Sequence, residues 1–330
     1  MMDKEKPKRS QHYLPQSYLQ FFSHAGKKEK MTYAYFCDGK KEEHISIEKI
    51  CNQSYLYEEI AIDPETGENI VLCPNELENS FVPLEGEYAT IIRSLLANLN
   101  SYGEPRLSAD QSDILKHFIA SIMARDPTFV HLCNYTARKM YDKNDIWFQQ
   151  LKEKFPEFLD GILLSMAANV MLNLYIHPED GILSRTFKAT MKNSKLCVIK
   201  TNSSVFVTSD SPVVNIYGEN DGIEFDLLGM PITPNLFLAF VDSDENIPEF
   251  VTINETETRV INNRQIRKKS KLIISEKKDI LSYIDIDVVP DCDEDSTDND
   301  WFFDMVQVDK DTFLKNYSKF ENSKDNHYWK

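Results

Sequence analysis

The sequence predicts an α+β fold: a central helical bundle flanked by short N-terminal strands and by a C-terminal, mostly antiparallel sheet. Three observations carry this. Before residue 75, short runs of strand formers alternate with turn signals. From about residue 75 to 193, apolar residues recur at helical period. From Lys195 the pattern returns to short apolar runs separated by turns. The chain has 330 residues, 42% hydrophobic and 27% charged, which suffices for a sizeable core and is an ordinary globular composition. We expect one α+β domain over residues 1–275, with a helical core at about 75–193 and a β-rich part at about 195–275, followed by an acidic loop and tail over 276–330.

Leu14, Tyr18, Leu19, Phe21 and Phe22 follow near-helical spacing around Pro15, so a short amphipathic helix is expected with His12 and Tyr13 just before it. Met31–Phe36 reads as a strand, Asp38-Gly39 as a turn and Ile45–Ile47 as the returning strand. Tyr55–Tyr57 and Asn69–Cys73 read as further short strands, with a turn over Asp63–Gly67. Leu77, Phe81, Leu84, Tyr88, Ile92 and Leu95 then mark one face of a long helix, with Pro83 an interior residue expected to kink or split it. Ser108 followed three residues on by Gln111 is a capping-box signature, and the helix it opens should end or bend near Arg125-Asp126-Pro127. Gly161–Ile176 is the most apolar stretch, too short to span a bilayer and interrupted by Asn169 and Asn173, so it predicts a buried helix.

In the second half, Leu196–Lys200, Val205–Thr208, Val213–Tyr217 and Leu236–Phe240 read as strands. Glu255–Lys269 reads as a helix with Val260 and Ile261 inward, and Ser270–Ser275 as a last strand. Asp285–Asp300 is rich in aspartate but has no glycine for the sharp turn of a calcium loop, so a solvated acidic loop is expected. Beyond it Trp301, Phe302, Phe313 and Tyr317 suggest a tail that docks on the body or on a partner.

Composition excludes several function classes. The net charge of −16 repels phosphate polymers and argues against nonspecific nucleic-acid binding. The basic clusters at Lys4–Arg9 and Arg264–Lys271 read as a solvated tail and a solvated helix face. The six cysteines form no Cys-x-x-Cys pair and none sits at ligand spacing from a histidine, so they read as buried thiols rather than a zinc site. The first residues lack the apolar core of a secretory signal, and a cytoplasmic protein is expected, with a protein partner or a second copy of itself as the partners left open and no membrane. No P-loop, Gly-x-Gly-x-x-Gly, His-Glu-x-x-His or Gly-x-Ser-x-Gly motif is present, and 10 glycines in the whole chain make a glycine-rich nucleotide cradle improbable.

The opening Gln11-His12-Tyr13-Leu14-Pro15-Gln16-Ser17-Tyr18-Leu19-Gln20-Phe21-Phe22 resembles the start of the bacterial domain-of-unknown-function family 4238, whose members begin with a His-Tyr-x-Pro-Gln-x-Tyr-Leu-x-x-Phe run. Three further stretches match in order. Asn52 to Glu58 resembles the family's early aromatic-acidic segment. Thr208-Ser209-Asp210-Ser211-Pro212-Val213 resembles its Thr-Ser-Asp-x-Pro-Val motif, with Pro231-Ile232-Thr233-Pro234 following. Asn262-Asn263-Arg264-Gln265 resembles its late asparagine-containing helix. The similarity spans about residues 8–275 and implies an independently folding bacterial intracellular unit, without implying a reaction.

The chemistry-bearing residues support two readings. His12 titrates near neutrality in its unperturbed form and suits a general base or a metal ligand; its bland role is to bond backbone at a turn. Gln16 is one turn away and Arg9 is near in sequence. Asp210, at the end of an apolar strand, suits metal or proton chemistry, or the capping of a turn. Arg125 can grip a phosphate or a carboxylate ligand, or else pair with Asp126 or cap the helix C-terminus. Glu76, Glu78, Glu85 and Glu87 can supply ligands, or simply complement a helix N-terminus. In the first reading His12 and Asp210 are catalytic, and Arg9, Gln16 and Arg125 bind a phosphodiester or nucleotide in a hydrolase, with a divalent metal as a compatible cofactor. In the second, the same residues are structural clasps of a recognition or regulatory module that binds a protein partner. In either case the opening segment is expected to bury its aromatics against the strand region around Asp210.

Overall fold

The computed structural model describes residues 8–58, 61–62, 69–70, 74–142, 146–156, 160–215, 228–242, 248–266 and 271–289. The N-terminal part holds β1 (Ser10–His12), α1 (Gln16–Leu19) continued by a 3-10 turn to Phe22, β2 (His24–Ala25), β3 (Lys30–Phe36), β4 (Lys41–Ser46), β5 (Asn52–Ser54), β6 (Ala61–Ile62) and β7 (Asn69–Ile70). The helical part holds α2 (Glu76–Tyr102), α3 (Ala109–Ala124), α4 (Pro127–Asp142), α5 (Ile146–Lys154), α6 (Asp160–Ile176) and α7 (Ile182–Thr190). The C-terminal part holds β8 (Ser194–Thr201), β9 (Thr208–Ser209), β10 (Val214–Asn215), β11 (Leu228–Thr233), β12 (Leu236–Asp242), β13 (Phe250–Ile253), α8 (Glu255–Ile266) and β14 (Leu272–Ser275). The class is α+β, with the helices in the middle.

One sheet has the order β10-β11-β12-β8-β13, antiparallel except that β13 runs parallel to β8. Both its faces are buried. Along β12, Leu236, Leu238 and Phe240 enter the large core shared with the helices and the opening segment. Phe237, Ala239 and Val241 face a second cluster with Phe206 and Ile261, as the two-residue period of a strand requires. The second sheet joins the ends of the chain. β3 pairs with β4 and β2, and then with β14, which in turn pairs with β9. Thr32 Oγ1 seals this joint, its one hydroxyl proton shared between the carbonyls of Phe22 (2.8 Å) and Ser275 (3.0 Å). A third cluster, with Tyr35, Val207, Ile273, Ile280 and Ile284, covers this sheet and continues beyond residue 275.

Local departures from the expected elements have local causes. Tyr55–Tyr57 is a turn rather than a strand, because Glu58 N–H bonds the Tyr55 carbonyl and Tyr57 N–H is taken by Gln11 Oε1 at 2.8 Å. The strand lies earlier, at β5, between Cys51 (φ 54°) and Tyr55 (φ 53°), both left-handed. Pro83 does not split α2. It and Asn79, whose carbonyl loses its partner, are on the exposed face, where water can take the freed acceptor. Gly103, at φ 75°, ends α2 by bonding the Leu99 carbonyl. α6 is not buried all round, since Val170 and Leu174 are exposed, and no helix among the described residues is long and apolar enough to cross a membrane. Arg264 departs from the solvated-face reading of its cluster, since it is buried with only 8% exposure, whereas Lys271 is exposed. Val260 is half-buried where Ile261 is fully inward. Lys4, Lys6, Asp63–Gly67, Val71–Cys73, Tyr217, Arg267–Lys269 and everything from Pro290, including most of the acidic stretch and the aromatic tail, lie outside the described residues.

Candidate functional site

The capping box on α3 is formed as the spacing predicts: Ser108 Oγ accepts from Gln111 N–H at 3.2 Å, and Gln111 Oε1 accepts from Ser108 N–H at 2.9 Å. The helix stops at Ala124, Arg125 is its C-cap, and Pro127 opens α4. This bend turns Arg125 inward, where it is 2% exposed. Its Nε donates to Tyr57 Oη (2.9 Å), Nη1 to Glu85 Oε1 (2.6 Å) and Nη2 to the His12 carbonyl. The guanidinium also lies 4.0 Å from the Phe81 ring centroid. Tyr57 Oη donates in turn to the His12 carbonyl at 3.1 Å. A buried charge must be paired and hydrogen-bonded, and Arg125 meets that demand on every nitrogen. It ties β1, the turn after β5, α2 and α3 together.

Asp210 follows β9. Its carboxylate accepts from the backbone N–H groups of Lys271 (3.2 Å) and Leu272 (3.4 Å), and its own N–H bonds the Leu272 carbonyl. Burial pushes its carboxyl up to about 7, the two N–H bonds oppose this, and the charge of Asp126 adds to it. Tyr13 and Cys51, which hydrogen-bond each other, feel the same carboxylate, and burial pushes both hydroxyl and thiol well up. Cys51 therefore stays a neutral thiol and a poor nucleophile.

His12 is half-buried. Burial pushes its imidazole down to about 4, with the positive charge of Arg125 adding, while bonds to the carbonyls of Glu48 and Ile47 oppose the shift. Its Nε2 lies 3.4 Å from Gln16 Nε2. Among the described residues no hydrogen bond or ion pair joins His12 to Asp210. Gln16 is exposed and lines a groove of about 350 Å³ with Ser17, Gln20, Lys28, Lys30 and Glu48; Arg125 and Asp210 do not line it. Arg9 is exposed, and its carbonyl accepts from Tyr55 N–H at 2.8 Å. The predicted residues therefore divide among three places: Arg125 under β1, Asp210 beside Tyr13, and Gln16 on the outer groove.

The motifs do meet, but through other side chains. Tyr18 is fully buried, and its hydroxyl bonds Thr208 Oγ1 (2.6 Å) and donates to the Pro231 carbonyl (2.8 Å), so the opening helix touches both sheets. Asn262 Oδ1 accepts from Val207 N–H (3.2 Å), while its Nδ2 donates to the carbonyls of Val205 (2.9 Å) and Tyr283 (3.1 Å). Gln265 Nε2 donates to the Pro212 carbonyl at 3.0 Å. Sequence reasoning missed Tyr57 and Tyr18 as partners, which were visible only as aromatic residues inside motifs. The carboxylate that pairs with Arg125 is Glu85 where the sequence offered Asp126, whose charge acts on Asp210 instead. No group of three or more His, Cys, Asp or Glu side chains suited to a metal occurs among the described residues.

This arrangement has a match among known families. A family model described as "Protein of unknown function (DUF4238)" matches residues 10–279. The chain belongs to this family. The DUF4238 match runs from the first residue of β1 to just past β14, and so takes in the contacts of Arg125, Tyr18, Asp210 and Gln265 described above. No curated protein and no solved structure matches the chain.

Proposed function

We propose that this DUF4238 protein works in the cytoplasm as a recognition or regulatory module for a protein partner, with its motifs serving as structural clasps. The observation that carries this reading is Arg125, whose three nitrogens are engaged by Tyr57, Glu85 and the His12 carbonyl. The hydrolase reading asks Arg125 to meet phosphate and His12 to serve as a base near neutrality. Here the arginine is taken, and the histidine is pushed down to about 4. Asp210 and Asn262 likewise spend their polar groups on main chain from distant segments. The net charge of −16 favours a partner with a basic surface.

The test measures turnover of bis-p-nitrophenyl phosphate and a panel of nucleotides, with and without magnesium or manganese, alongside thermal unfolding. Wild type is compared with His12→Gln, Asp210→Asn and Arg125→Met. We expect no turnover above the protein-free rate in any of them. Arg125→Met should lose the most stability, about 3 kcal/mol, because it leaves Glu85 without its ion-pair partner and takes from the His12 carbonyl one of its two donors. Wild-type turnover that vanishes in folded His12→Gln and Asp210→Asn protein would restore the hydrolase reading. Cross-linking in the producing cell should recover a basic polypeptide in stoichiometric amount; recovery of the chain alone speaks against recognition.

A further inference from the structure

The sheet β10-β11-β12-β8-β13 ends on β13, and the outer edge of that strand is open. β13 runs parallel to β8, and Val198 N–H bonds the Glu249 carbonyl at 2.8 Å. In a parallel ladder this bond fixes the alternation. Val251 and the Ile253 N–H turn toward β8, while Phe250 and Thr252 turn their N–H and C=O groups outward. Among the described residues no other strand pairs with β13, and no hydrogen bond takes the outward groups of Phe250 or Thr252. Thr252 is exposed. The strand is nonetheless held on both faces, Phe250 against the main core and Val251 and Ile253 against the second cluster. Native sheets blunt a free edge with charge, proline or extreme shortness. β2, β9 and β10 are two residues long, and β4 carries Lys41, Glu42 and Glu43. Phe250-Val251-Thr252-Ile253 has none of these guards. The open row stops at Pro248, which has no N–H, and at Asn254, whose N–H is taken by Glu257 Oε2 at 2.8 Å.

We propose that the protein partner docks on the outer edge of β13, where an extended segment with Lys or Arg at both its ends adds a further strand to the sheet. The inference rests on the recognition reading above and names its surface. Strand addition draws its affinity from main-chain groups in a fixed row. β13 presents that row on a strand already packed on both faces, so little ordering on this side is left for binding. Glu249 precedes the strand and Glu255 follows it, both exposed, so the edge is acidic at its two ends, while Lys200 sits beside Thr252 on β8 at its middle. An added strand with basic ends answers that pattern. A second copy of the chain fits it poorly. Paired antiparallel, it lays the Glu249 end of one strand against the Glu255 end of the other, and each chain carries a net charge of −16.

The probe is the capped peptide acetyl-Lys-Lys-Val-Thr-Val-Thr-Lys-Lys-amide, added to isotope-labelled full-length protein and followed by amide hydrogen exchange. In the free protein the Phe250 and Thr252 amides should exchange fast and those of Val251 and Ile253 slowly. Peptide at about ten times its Kd should slow the first pair about tenfold. The same peptide with Glu for every Lys should bind at least about tenfold more weakly. Thr252→Pro removes an outward N–H without touching the β8 ladder and should weaken binding about tenfold. Thr252→Lys, a charge on an exposed side chain, should weaken it too and carries the test if the proline variant does not fold. In the producing cell a photo-cross-linking residue at position 252 should join the basic polypeptide through a segment flanked by Lys or Arg. A peptide that leaves the Phe250 and Thr252 amides unprotected, or binding that both variants leave unchanged, overturns the proposal. So does protection that arises without peptide and grows with protein concentration, which assigns the edge to a second copy. A basic polypeptide that cross-links only from other positions leaves recognition standing and overturns the docking edge.

Discussion

At Asp210 the carboxyl moves from 3.8 to about 7 on folding, whereas at His12 the imidazole moves from 6.5 to about 4. Between about 3.8 and about 7 the folded chain holds a proton on Asp210 that the unfolded chain has released. Asp210's contribution to stability is therefore full below this range and is lost as pH rises through it. His12 has the opposite sign: the unfolded chain takes the proton first, so stability falls as pH drops from 6.5 toward about 4. Over the shared window the two slopes oppose each other. Asp210→Asn removes one of them, and its urea midpoint should then climb with pH between about 4 and about 6.5 more steeply than the wild type's. Parallel profiles would show that Asp210 holds no extra proton. His12, Arg125 and Asp210 were legible in the sequence as polar residues in or near motifs. Their partners were not, because Arg125 meets Glu85, Tyr57 and His12 across separations of 40, 68 and 113 residues, and no spacing rule spans such distances.

Elements whose signals are local were readable. The α3 capping box is one. A second, not recognised from sequence, caps α8, where Asn254 Oδ1 accepts from Glu257 N–H (3.1 Å) and Glu257 Oε2 accepts from Asn254 N–H (2.8 Å). Ser108→Ala should cost about 1 kcal/mol in chemical unfolding, and Ser108→Asp should recover most of it; equal stability of all three would mean the α3 end is held by packing alone. Tyr55–Tyr57 shows the limit of propensity. Two tyrosines favour a strand, but a buried glutamine from β1 claims the backbone first. The apolar period of α2 was readable, and its continuity through Pro83 depended on which face the proline occupies.

For the molecule as a whole, the order strands, helices, strands was legible, and the closure of the N-terminal hairpin onto the last strand was not. A strand's sequence states which face it buries but not which edge it pairs. The third cluster makes this closure testable. Ile280 and Ile284 are buried in it, and Glu42 accepts from Asp279 and Ile280 N–H at 3.1 and 2.8 Å. A chain ending at Val289 should therefore melt at a higher temperature than one ending at Ser275, by several degrees for a loss of about 2 kcal/mol. Equal melting of the two would show that the cluster past residue 275 adds nothing.

The pairing of β3 with β14 also has a consequence in time. Thr32 and Ser275 are 243 residues apart. A ribosome adding about 5–20 residues per second needs roughly 10–50 s to cover that distance. Throughout that interval the Tyr33–Phe36 stretch of β3 that β14 will cover has no native neighbour on that edge, of which β2 holds only the start, while β4 has already taken the other edge. An unpaired strand edge is a template for any other chain. The nascent protein thus carries a sticky hairpin through most of its own synthesis, and its yield in a cell should depend on the chaperones that meet it at the ribosome.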